Sequence, residues 1–275
     1  MNGENAQQPR GKLESITRKW WFFLLFILFQ FFPAYAQKGY DPSKWGEFIG
    51  HTLEHAFTSS IEWLYPIFKI IPIILVISII FLGNKATRWF DAYVGSSYVL
   101  FAFLGSIAVT EQYGLAIITG NFLAFLVIAA FWFWDVFAQK NDFTPQQRPL
   151  WKYWVVPLAF LAFWTPMSMP YSPMNPPDFN PTYFFINGAG LAYCMMTPFF
   201  LAILTLYHPR INMAILRVAS LEGILIGLIN IYMNFFTDFW LYWWNGVLHI
   251  PLISISIYAL ILSLKKSKDS ESTWT

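Results

Sequence analysis

Three of the four histidines in this 275-residue chain, His51, His55 and His249, together with nearby carboxylates, are the residues whose types suit metal or acid–base chemistry. His51 and His55 stand at i, i+4, so a helix turns both rings to one side, where their nitrogens can meet one ion. Glu47, His51, Glu54, His55 and Thr58 follow at helical spacing and share a face. Trp45, Phe48, Ile49, Leu53 and Phe57 fall mostly on the other. The segment is therefore expected to be an amphipathic helix from about Ser43, with a polar face of imidazoles and carboxylates rather than Lys and Arg. Such a set suits a borderline transition metal, copper or zinc above all. Glu54 or Glu47 serves as an oxygen ligand or as a partner that orients the imidazoles, and His249 joins if the start of the last apolar run lies beside this helix, as does Asp238 before it.

The string His51-Thr52-Leu53-Glu54-His55 also matches H-x-x-E-H, the inverzincin arrangement, in which two His bind zinc and the Glu activates water. A protease needs a further ligand and a peptide groove, and the sequence establishes neither. The plain alternative is a solvated helix face with ordinary Glu and His contacts. A second set is Met167, Met169 and Met174, whose thioethers would select Cu(I). Five prolines between Pro166 and Pro177 stiffen that loop, which reads equally as a rigid hydrophobic cap. Within apolar runs, Lys69 and Glu222 are ionisable groups that should face the protein interior and pair, marking a substrate pathway or a structural ion pair. Arg217 is expected to snorkel to the cytoplasmic surface, and Asn230 and Asn234 lie further out.

The elements that must position these groups follow from composition. Hydrophobic side chains make up 57% of the chain, aromatics 21% and charged residues 12%, half the roughly 25% of a soluble domain. A net charge of +2 excludes strong attraction to nucleic acid, and one cysteine, Cys194, excludes an intramolecular disulfide. The expected fold is all-α: a polytopic bundle in a lipid bilayer, with transmembrane helices at about 63 to 83, 92 to 109, 114 to 136, 151 to 169, 183 to 207, 211 to 233 and 246 to 264. Ahead of these seven, Arg10, Lys12, Arg18 and Lys19 precede the apolar stretch Trp20 to Phe32 and then Ala34-Tyr35-Ala36. That order reads as a signal peptide over 1 to 36, the competing reading being a retained anchor that makes eight helices. Residues 37 to 62 form the extracytoplasmic amphipathic segment, 63 to 264 the membrane domain and 265 to 275 a cytoplasmic tail.

Sidedness comes from the basic residues. Lys85 and Arg88, then Lys140, Arg148 and Lys152, then Arg210, then Lys265, Lys266 and Lys268 fall after alternate spans. The connections 110 to 113, 170 to 182 and 234 to 245 hold no Lys or Arg. By the positive-inside rule the mature N-terminus is outside and the C-terminus inside, which places His51, His55 and His249 on the outer side. The sequence holds no P-loop, no dinucleotide fingerprint and no nucleophile elbow. Three functions stay open: binding or transport of a small solute or metal ion at an outward-facing site, a non-catalytic subunit packed against other membrane proteins, or an intramembrane metalloenzyme with Glu54 as base.

Overall fold

The computed structural model describes residues 12–169 and 172–265. Arg10 of the leader, Pro170 and Tyr171 of the proline-rich loop, and the tail 266 to 275 with Lys266 and Lys268 lie outside the described residues. Two N-terminal helices, α1 (Lys12–Ile16) and α2 (Trp20–Phe29), precede strand β1 (Tyr35–Ala36) and helix α3 (Trp45–Glu54). Helices α4 (Tyr65–Leu82) and α5 (Thr87–Gly105) lead to strands β2 (Ile107–Thr110) and β3 (Gly114–Ile117). Then come α6 (Thr119–Ala138), α7 (Val155–Trp164), α8 (Tyr183–Ile186), α9 (Tyr193–Tyr207), α10 (Met213–Tyr232) and α11 (Phe239–Leu264).

Long apolar runs form helices because a helix satisfies its own backbone where no water is at hand. Four helical stretches among the described residues are long and apolar enough to cross a membrane: Phe57–Gly105, Thr119–Ala138, Met213–Thr237 and Phe239–Leu264. Tyr183–Leu191 and Tyr193–Tyr207, which meet at 95°, add a fifth if they count as one broken span. Ile67, Ile70, Ile74, Ile77 and Phe81 of α4 are all exposed, spaced by three and four residues, a lengthwise stripe suited to hydrocarbon rather than water. The architecture is that of a helical membrane protein.

Two expectations are corrected. The second span does not run to residue 109, nor does the third begin at 114, because 107–117 is a β-hairpin whose β3 also takes β1, giving the antiparallel order β1-β3-β2. Short apolar strands next to helices read as helix extensions, since periodicity cannot part them over four residues. The chain is therefore mainly rather than wholly α. The helix predicted from Ser43 ends at Glu54, and a 3-10 stretch, Phe57–Leu64, replaces its second half. Ala56 bridges to Ala108 of β2, so Thr58 leaves the expected polar face.

The sheet holds α3 in place. Phe48, fully buried, stacks on Tyr40 with ring centroids 4.3 Å apart and meets the edge of Tyr113 at 4.9 Å. Asp41 accepts hydrogen bonds from the Ser43 backbone N–H and hydroxyl at the start of this segment, which hold its carboxyl below the usual range. The main core lies among α2, α5, α6, α7, α9, α10 and α11. At the end opposite the sheet, a buried polar knot joins α5, α6 and α10. Asn141 donates to Asp91 at 2.9 Å, and Asn212, which caps α10, donates to Asp135 at 2.7 Å. Asp135 also accepts the backbone N–H groups of Lys140 and Asn141 where α6 ends at the left-handed Gln139.

Candidate functional site

Helix α3 delivers the predicted cluster. One ligand atom each from His51, Glu54 and His55 lies within 4.8 Å of the others. An ion bound at about 2.0–2.2 Å spaces its ligands more closely than this, so the side chains as they stand do not form a closed site. The two imidazoles lie 4.2 Å apart at 33°, with the edge of the His51 ring against Tyr113 at 5.3 Å. His55 Nδ1 donates to the His51 carbonyl at 2.9 Å. A carbonyl only accepts, so in neutral His55 the proton sits on Nδ1 and Nε2 keeps its lone pair for an ion. His55 owes this geometry to its place just past the last helical residue, where the chain leaves α3.

Behind the cluster opens a cavity of about 1030 Å³, lined by His51 and Glu54 at one part and by His249 at another. His249 is buried and donates Nδ1 to the Asn245 carbonyl at 2.7 Å, which leaves Nε2 as its acceptor or ligand atom. The structure thus places His249 on the same cavity, but outside the group formed by His51, Glu54 and His55. Four carboxylate residues, Glu47, Glu54, Glu62 and Asp238, line the cavity, and no Lys or Arg does so among the described residues. Such a wall favours cations over anions. An amide ladder continues inward: Asn245 donates to Asn234 at 2.8 Å, Asn234 to the Asn230 carbonyl at 2.7 Å, and Asn230 to the Ile226 carbonyl at 2.9 Å. Asn234 belongs to a π-helical turn, Met233–Thr237, that joins α10 toward α11 and turns its side chain into this wall.

The intramembrane charges are not paired as expected. Lys69 and Glu222 do not meet. The Lys69 ammonium donates to the Phe163 carbonyl and lies 4.4 Å above the Phe163 ring. Helix α7 ends one residue later at Trp164, capped by Thr165 with φ of 50°, so this carbonyl belongs to the set that every helix C-terminus leaves unpaired. Lys69 is not in the cavity lining. Glu222 is fully buried and accepts from Gln30 at 2.9 Å through Oε1, while Oε2 has no hydrogen-bond partner among the described residues. Arg217 does not snorkel either: it is fully buried and donates to the Thr17 hydroxyl at 2.6 Å and the Ser263 carbonyl at 2.7 Å. Met167 and Met169 line the cavity but Met174 does not, and its side chain is exposed, so the three thioethers do not form one site.

Sequence reasoning missed Gln30, Asn245 and Tyr193. Gln30 lay in a segment read as a leader, Asn245 directly after tryptophans assigned to an interface, and Tyr193 in an apolar run. Tyr193 lines the cavity with a buried hydroxyl that lacks a partner among the described residues. Only Gln30 carried a signal, as the polar residue that interrupts the apolar stretch Trp20 to Phe32. No protein-family model matches the chain, and no curated protein or solved structure is significantly similar to it.

Proposed function

We propose that this chain is a multi-pass membrane protein that binds a transition-metal ion, copper or zinc, at an outward-facing site and passes it or a small cationic solute inward. The observation that carries the reading is the convergence of His51, Glu54 and His55, of which His51 and Glu54 line a cavity that holds four carboxylate residues and, among the described residues, no Lys or Arg. In this reading His51, Glu54 and His55 capture the ion. His249 and the amides of Asn245 and Asn234 take it over deeper in, and Glu222 lies behind Gln30 of the cavity wall. Lys69 has a different task, tying α4 to the end of α7.

The proposed topology has seven crossings after residue 37, carried by α4, α5, α6, α7, α8 with α9, α10 and α11. The helical stretch Phe57–Gly105 counts twice, because its 49 residues at 1.5 Å each reach well beyond one bilayer and Gly83 at φ of 55° breaks it. With Lys85, Arg88, Lys140, Arg148 and Arg210 inside, α3 and the sheet face outward. The test is uptake of zinc or Cu(I) by proteoliposomes holding the purified protein. We expect ion accumulation with the native chain and background accumulation with His51→Ala/His55→Ala. Equal uptake by both removes the histidines from the pathway.

A further inference from the structure

We infer that the apolar N-terminal helix α2 is retained as a permanent wall of the bundle, with Gln30 at its end as a positioning residue for Glu222. Its aromatic face belongs to the core: Phe22 and Phe26 are buried there, and α2 packs against both α6 and α10. Two intramembrane charges reach partners in this segment. Glu222 receives the Gln30 amide at 2.9 Å, and Arg217 donates to the Thr17 hydroxyl at 2.6 Å and the Glu14 carbonyl at 3.3 Å. Cleavage after Ala36 would remove Glu14, Thr17 and Gln30 together, stripping partners from two fully buried charged residues.

A third observation is independent of charge. Gly120, at the start of α6, lies so near the Phe29 carbonyl that a Cβ there would overlap backbone. Glycine is required at this position only while the segment ending at Phe29 stays in place. On the far side of the candidate cleavage point, Gln37 and Lys38 donate backbone N–H groups to Leu115 and Tyr113 at 2.9 and 3.0 Å, continuing the pairing of Tyr35 and Ala36 with β3. The helix is thus held at both ends, and its last turn meets the cavity through Gln30. Gln30 lines the cavity and Glu222 does not, so the amide stands between this carboxylate and the cavity; any part of Glu222 in cation passage rests on the cavity reading above, whereas retention of the helix does not.

The experiment has two arms. Intact mass of the membrane-extracted protein carrying a C-terminal tag should correspond to a chain that includes residues 1 to 36, and a product starting at Gln37 overturns the inference. Melting temperatures are then measured for Gln30→Leu, Glu222→Leu, the double variant and Gly120→Leu. Gln30→Leu should lower the melting temperature by several degrees and Glu222→Leu in the same background should restore part of it; additive losses overturn the role of Gln30. Gly120→Leu should also lower it, and no change would mean that nothing occupies the place of α2. None of these results depends on metal binding, so failure here and failure of the functional reading are separately visible.

Discussion

At the residue scale, the charged groups inside the bundle show how far burial decides what a side chain does. Lys69 sits between Pro66 and Pro72 in an apolar helix, and from sequence its natural partner is a carboxylate. The structure gives it a carbonyl and a ring instead. The end of α7 carries partial negative charge from unpaired carbonyls, and a desolvated cation over an aromatic face adds its own attraction. Replacing Lys69 by Met keeps the length of the side chain but orphans the Phe163 carbonyl. We expect a loss of about 2 kcal/mol, the sum of a helix-end cation and an unmet buried acceptor, read as a lower denaturation midpoint, with uptake at the remaining folded fraction unchanged. A variant as stable as the native chain would show that the contact carries no weight. No pattern in the sequence announces such a pair, because a backbone acceptor has no letter of its own and this one exists only where α7 stops.

At the scale of elements, α3 was legible and its support was not. The i, i+4 spacing of His51 and His55 is a local property of one helix, and the structure brings them together with Glu54 as that spacing implies. What holds the helix is the hairpin β2–β3, which looked like the ends of two membrane helices because Ile107 to Thr110 and Gly114 to Ile117 carry the same apolar residues either way. Phe48 is the link between the two, buried against Tyr40 and Tyr113. Its replacement by Ala removes a buried aromatic, a change of about 3–5 kcal/mol in a well-packed core. Because this small cluster is separate from the main core, we expect the loss to be local. Backbone amides of 45 to 55 should exchange faster in Phe48→Ala while those of α9 and α10 stay protected. Uniform loss of protection across the chain would contradict a separable module of helix and sheet.

At the scale of the whole molecule, composition alone placed the chain in a membrane, and the four long apolar helical stretches agree with that. Pairings across the bundle were beyond reach, since Gln30 and Glu222 are 192 residues apart in sequence and only the fold brings them together. The same holds for the knot of Asp91, Asp135, Asn141 and Asn212, whose two aspartates sit in apolar helices and whose amides come from different loops. The molecule so assembled has a module of helix and sheet that gathers two imidazoles and a carboxylate, His51 and Glu54 of them lining a cavity with a carboxylate-rich wall and an amide-lined interior. The proposed role of this place is to hold a transition-metal ion. The most direct test is elemental analysis by mass spectrometry of the detergent-purified protein, loaded with zinc or Cu(I) and freed of excess, beside His51→Ala/His55→Ala treated alike. The account predicts close to one ion per native chain and almost none in the double variant. An equal metal content in the two, or none in either, would contradict it.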